Sequence, residues 1–217
     1  MTRPAAVLWD MDGTLVDTEP YWFEVEFELV EEFGDTWSEA DAISLVGFDL
    51  LDSAHELRTR GGVDLDPVEV VERMIDGVVR RVAERLPWRP GAAGLLAECV
   101  AAQIPCAMVT MSWRRLADAV IASAPTGSFA ASITGDEVRL GKPDPEPYLA
   151  AAAALGLDAA DCVAIEDSPT GVASALAAGC ATLGVPHVVP IAAAPGLTLV
   201  DSLVGLSVAD LRRLGTD

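Results

Sequence analysis

Asp10 and Asp12 stand two residues apart in the stretch Asp10-Met11-Asp12-Gly13-Thr14, directly after the short apolar run Ala5–Trp9. Thr110 follows a second apolar run, Ile104–Val109, and the pair Glu166-Asp167 follows another, Cys162–Ile165. Lys142 lies in Gly141-Lys142-Pro143-Asp144, shortly after the run Ala131–Thr134. Of the fourteen basic residues it alone is a lysine; the others are arginine. A compact ammonium is thus kept at one point in a chain that elsewhere uses planar guanidinium groups. Carboxylates converging with one ammonium make poor core material. They are well suited to holding a divalent cation beside a phosphoryl group.

The chemistry such a set would perform follows from charge. A carboxylate approaching a phosphoryl dianion meets repulsion, because unit charges ~4 Å apart interact by about 4 kcal/mol at an effective dielectric of ~20. Mg²⁺ takes oxygen ligands and bridges carboxylate to phosphate. Lys142 would neutralise further charge, and Thr110 would donate to a phosphate oxygen. Backbone N–H groups of the Met11–Gly13 loop would complete the cradle. Asp10 is then the candidate nucleophile and Asp12 the candidate acid/base. Each piece has a plainer alternative when taken alone: a turn for Asp-x-Asp-Gly, a helix cap for Glu166-Asp167-Ser168-Pro169. Together, in this order at the ends of apolar runs, they favour catalysis.

The elements that must position these residues are readable from periodicity. The runs named above, with Ala181–Val185, read as buried strands separated by helical patterns such as Leu95, Leu96, Cys99 and Val100. Pro169–Ala178 reads as a helix with Asp167 or Ser168 as its cap and Gly179 as its stop. Alternation of this kind predicts an α/β fold with a doubly wound, Rossmann-like parallel sheet. Pro20 to Leu86 shows only helical periodicity, with stripes at Phe23, Phe27, Val30 and Phe33, at Leu50, Leu51, Ala54 and Leu57, and at Val71, Ile75, Val78, Val82 and Leu86. The expected organisation is a core from residues 1–15 and 90–217 and an inserted helical cap from residues 16–89. Gly47 either lets a cap loop approach the core or marks a simple turn.

Composition narrows the remaining classes. With 217 residues and 51% hydrophobic side chains the chain has material for a medium domain with an insertion. Its formal charge of −20 repels nucleic acid and anionic lipid, so neither is an expected partner. Cys99, Cys106, Cys162 and Cys180 show no C-x-x-C spacing, which argues against a zinc site or a disulfide framework. No apolar run reaches the roughly 18–20 residues of a membrane span, and a cytoplasmic protein is expected. A small phosphorylated metabolite is the expected partner of a monomer or weak homodimer.

The arrangement of Asp10–Thr14, Thr110, Lys142 and Glu166-Asp167 resembles the four motifs of the haloacid dehalogenase-like hydrolase superfamily, across essentially the whole chain. Within it the chain is similar to the branch with a helical cap after the first motif, which includes β-phosphoglucomutase-like and phosphoglycolate phosphatase-like proteins. The resemblance implies an aspartyl-phosphate on Asp10, and Asp12 protonating the leaving group before activating water. It also implies Mg²⁺ held by Asp10, the backbone carbonyl of Asp12, and Asp167, with Glu166 direct or through water.

Asp12 and an intact Glu166-Asp167 pair argue against dehalogenation, and the absence of a cap lysine argues against Schiff-base chemistry. Mutases of the β-phosphoglucomutase type carry a histidine and an arginine where this chain has Trp22 and Leu50. Hydrolysis of a phosphomonoester is therefore expected, with a phosphomutase and a non-catalytic binding protein as alternatives. Arg58, Arg60, Arg80, Arg81, Arg85 and Arg89 remain as cap cations that would serve a mutase. Gly13, Met111, Glu19 and Trp22 are the substrate-binding candidates. Glu19 would accept from substrate hydroxyls and Trp22 would stack on a sugar or base, unless Glu19 merely favours a helix N-terminus and Trp22 belongs to the cap core.

Overall fold

The structure is a computed structural model that describes residues 4–46 and 48–214; Gly47, expected to ease a loop approach or mark a simple turn, lies outside the described residues. Six parallel strands form one sheet in the order β3-β2-β1-β4-β5-β6. They are β1 (Ala6–Trp9), β2 (Cys106–Val109), β3 (Ala131–Ile133), β4 (Cys162–Glu166), β5 (Ala181–Gly184) and β6 (Leu197–Leu199). Strands β1, β2 and β4 are buried at every residue, as central parallel strands covered on both faces must be. The expected α/β fold with its parallel sheet is observed. One strand exceeds the expectation: β6 is a three-residue edge segment, two of its residues exposed.

Side chains alternate across β1 and feed two cores. Val7 and Trp9 pack with helices α5 (Ala92–Ala101) and α6 (Arg114–Ser123), through Leu95, Leu96, Leu116 and Val120. Ala6 and Leu8 face the other way, toward Tyr148, Ala151 and Ala175 on α7 (Glu146–Ala154) and α8 (Pro169–Ala177). Small residues dominate this second face, so its helices lie close to the sheet. Register then aligns the strand ends: Trp9 pairs with Met108 on one side and Ile165 on the other. The next residues along, Asp10 and Glu166, consequently emerge side by side at the carboxyl edge.

Between β1 and α5 run four helices, α1 (Glu19–Glu32), α2 (Glu39–Ser44), α3 (Leu50–Arg60) and α4 (Pro67–Glu84). Asp66 caps α4 by accepting from Val68 N–H, and Pro67 needs no intrahelical donor at the first turn. Val70, Val71, Met74, Ile75, Val78 and Val82 form its buried stripe, which packs against α1, α3 and α6. On α1 the buried face is Val25, Glu26, Leu29 and Val30, rotated from the expected Phe23–Phe27 stripe. The two chain crossings are bound to each other. Asp17 N–H donates to Pro87 O at 2.7 Å, Arg89 N–H donates to Leu15 O at 3.0 Å, and Val16 bridges Trp88 in antiparallel fashion.

Candidate active site

The carboxyl edge of β1 and β4 brings together the residues singled out by their spacing. Lys142 arrives from the loop after β3, and its ammonium is buried with 5% of its side chain exposed. Nζ donates to Asp10 Oδ1 and Glu166 Oε1, both at 2.6 Å, and to Val109 O at 2.9 Å. All three of its protons are used. Burial opposes the ammonium charge, but Asp10 and Glu166 more than offset it and hold the Lys142 pKa above its ordinary value.

Glu166 is anchored from every side. Tyr148 donates its hydroxyl to Oε1 at 2.9 Å, while Oε2 accepts from Asp167 N–H, Ser168 N–H and Ser168 Oγ–H. Ser168 also caps α8 by accepting from Gly171 N–H at 3.1 Å. Gly171 belongs there for steric reasons, since a Cβ would fall 1.8 Å from Glu166 Oε1. Asp167 accepts from Thr14 Oγ1 at 3.1 Å.

Asp12 is fixed by three hydroxyls. Ser112 Oγ donates to Oδ2 at 2.8 Å, Thr110 Oγ1 donates to the same oxygen at 3.2 Å, and Thr18 Oγ1 donates to Oδ1. Thr110, expected to face a phosphate oxygen, thus directs its proton to Asp12, and its oxygen accepts from Ser112 N–H at 3.0 Å. Thr18, Ser112 and Tyr148 are site residues that the sequence reading missed. Ser112 had a usable signal, since it sits two residues beyond Thr110 at the same strand end.

Three ligand atoms from Asp10, Glu166 and Asp167 lie within 4.8 Å of one another. Asp10 Oδ2 is buried without a hydrogen-bond partner. Burial, then the charge of Glu166, pushes the Asp10 carboxyl up to about 7, against the pull of Lys142. Burial followed by the charges of Asp10 and Glu166 pushes Asp167 up to about 9. One ammonium is too little positive charge for three buried carboxylates. Hard oxygen donors this close, with their charge not neutralised, fit Mg²⁺.

A cavity of about 320 Å³ opens over this cluster between the sheet edge and α1–α4. Asp10, Asp12, Thr110, Met111, Lys142 and Asp167 line its floor, and Glu19 and Trp22 stand on its helical wall. Gly13 has φ +83°, and a Cβ there would lie 2.2 Å from Asp167 Oδ2 and 2.8 Å from Glu19 Oε1. Glycine therefore lets the loop pass beneath two carboxylates. Glu26, not singled out from the sequence, also lines the cavity. None of the six arginines named above as candidate cations does. Arg60 pairs with Asp41 and Glu56, and Arg81 with Glu24 and Glu28.

Cys99, Cys106, Cys162 and Cys180 are buried and form no disulfide among the described residues. Among the described residues no helix is long and apolar enough to cross a membrane.

Comparison with known proteins places the chain in a family. The description haloacid dehalogenase-like hydrolase matches residues 4–179. The chain belongs to that family. Its haloacid dehalogenase-like relatives include the plasmid protein CbbY of Cupriavidus necator, 34% identical over 83% of this chain and 78% of that protein. Hexitol phosphatase B of Escherichia coli is 30% identical over 83% of each chain. Among solved structures, CbbY of Rhodobacter sphaeroides in complex with xylulose-(1,5)bisphosphate superposes with a TM-score of 0.86 at 26% identity, covering 97% of this chain and 99% of the other. The protein is an enzyme of the haloacid dehalogenase-like family with phosphatases among its relatives.

Proposed function

We propose that this enzyme is a Mg²⁺-dependent phosphomonoesterase that hydrolyses a small phosphorylated carbohydrate through a covalent intermediate on Asp10. The observation that carries the reading is Asp10 itself. Its Oδ1 is held by Lys142 at 2.6 Å, while its Oδ2 is buried beside the cavity without a partner. One oxygen is fixed and the other is free to attack. In the first step Oδ2 bonds to phosphorus as the ester P–O bond breaks, and Asp12 gives its proton to the departing oxygen. In the second, Asp12 takes a proton from water as that water attacks phosphorus, and Asp10 is released with inorganic phosphate.

Lys142 offsets charge at the nucleophile throughout. Thr18, Thr110 and Ser112 orient Asp12 for both proton transfers. Asp10, Asp167 and the backbone carbonyl of Asp12 would hold Mg²⁺, with Glu166, already saturated by donors, acting from behind them. When bound, the cation supplies positive charge to the phosphoryl oxygens. A carbohydrate is favoured because relatives include a hexitol phosphatase and a CbbY solved with a bisphosphorylated sugar. In this reading residues 16–89 are the cap and residues 1–15 and 90–217 the core, the cap excluding water when it closes.

The test is phosphate release from a panel of sugar and polyol phosphates, with Mg²⁺ or with EDTA, beside Asp10→Asn. Release that requires the metal and is lost in the variant is expected. Full turnover by Asp10→Asn would remove the covalent step. Isomerisation of a sugar phosphate without net phosphate release would replace the hydrolase with a mutase.

A further inference from the structure

The far wall of the cavity has a chemistry of its own. Glu19, Trp22 and Glu26 recur at i, i+3 and i+7 on one face of α1, so all three look into the same space. Glu26 is 4% exposed. Its Oε2 accepts from Trp37 Nε1 at 3.1 Å, leaving Oε1 as its oxygen without a hydrogen-bond partner among the described residues. Phe23, Leu45 and Met74 surround it on the wall. A carboxyl in such apolar company needs a reason, because nothing basic neutralises it. Burial raises its pKa to about 7, with only the Trp37 hydrogen bond opposing the shift.

Charge on the cavity wall is one-sided. Asp10, Asp12, Glu19, Glu26, Asp49 and Asp167 line it, and among the described lining residues Lys142 is the single cation. Lys142 is committed to Asp10, Glu166 and Val109 O at the floor. A second phosphate, or a carboxylate, on the leaving group would meet Glu19 and Glu26 with no cation to receive it. Hydroxyl groups, by contrast, can donate to both carboxyls. The apolar residues between them suit the C–H faces of a carbon chain.

We infer that Glu26, held by Trp37, is a specificity-determining residue that selects phosphomonoesters with an uncharged, hydroxyl-bearing leaving group and rejects bisphosphorylated ones. The inference rests on the phosphatase reading above and narrows it. Rejection comes from the excess of carboxyls over cations on the cavity wall and selection from hydrogen bonds to them, so one residue serves both.

Steady-state kinetics with sorbitol 6-phosphate, fructose 1,6-bisphosphate and acetyl phosphate test it, on wild type and Glu26→Leu. Acetyl phosphate carries the scissile phosphoryl group on acetate, a small leaving group without hydroxyls. Wild type is expected to prefer sorbitol 6-phosphate over the bisphosphate by about a hundredfold in kcat/KM. In Glu26→Leu the ratio of kcat/KM for sorbitol 6-phosphate to that for acetyl phosphate should fall about tenfold or more, chiefly through KM. Misfolded protein contributes to neither rate, so the ratio is independent of how much variant folds. Equal or better turnover of the bisphosphate by wild type overturns the selection, and an unchanged ratio in Glu26→Leu overturns the role of Glu26. Either result leaves the phosphatase standing. Absence of phosphate release from all three compounds overturns both readings.

Discussion

His187 Nε2 lies 3.0 Å from Asp17 Oδ1, joining the loop after β5 to the turn that leads from β1 into α1. Glu19 Oε2 is 3.6 Å from the same nitrogen. The nearby Glu19 carboxylate is the largest influence on the imidazole and raises its pKa above 6.5, with burial opposing. A histidine bound more tightly as the cation stabilises the fold below its ordinary pKa. That contribution is lost as pH rises through the higher folded value. Wild type should therefore exceed His187→Ala by about 1 kcal/mol near pH 6, and the gap should be smaller at about pH 9. Chemical denaturation at both pH values measures it; a constant gap would mean the contact is packing alone.

Glu26 moves stability in the same direction with pH, but by a cost of its buried anion instead of a gain from a cation. Its folded pKa of about 7 stands above the ordinary 4.5. The folded protein binds its proton more tightly than the unfolded chain does, so stability falls as pH rises between those values and stays lower above them. Glu26→Gln should gain on the order of 3 kcal/mol at about pH 8 and little at about pH 4. Thermal unfolding across that range checks this. A residue that costs stability at neutral pH and lines a cavity is the pattern expected of a group kept for binding.

Lys142→Arg should lower kcat by about a hundredfold or more even though charge is conserved. Its Nζ satisfies two carboxylates and a backbone carbonyl from one point, and a planar, longer guanidinium cannot reproduce that convergence in a buried space. Turnover numbers for the two proteins decide it. Near-normal turnover would make the lone lysine incidental.

Gly171→Ala should destabilise by about 2 kcal/mol and slow the enzyme, because the added Cβ collides with a Glu166 carboxyl held by Lys142 and Tyr148. Gly94→Ala is the contrasting substitution. It also lies in a helix, but its Cβ would meet nothing within 4 Å. There a gain of about 0.5–1 kcal/mol is expected. Melting temperatures of the pair separate close approach from helix propensity.

The candidate site was legible because Asp10, Thr110 and Glu166 terminate apolar runs, and a parallel sheet brings such ends into one row. Five strands were visible for the same reason. β6 was not: three residues after a proline- and glycine-containing stretch, at a half-exposed edge, leave too little pattern to read. Thr18 and Tyr148 escaped notice because hydroxyls have many uses and their partners, Asp12 and Glu166, are fixed only by tertiary packing. Glu26 was hidden differently. Charged residues are expected outside, so an acid in α1 passed for surface, although its spacing from Glu19 and Trp22 places it on their face. The α1 stripe was misphased because Phe23 turns to the cavity instead of the helix interior.

A single lysine locked between Asp10 and Glu166 has a practical corollary. Amine-selective acylating reagents find no other side chain to modify in this protein. Covalent labelling of a side-chain amine would thus report one event, the transient exposure of the Lys142 ammonium. Its rate would read how often the pairs with Asp10 and Glu166 open, a local clock for breathing at the reaction centre that needs no substrate.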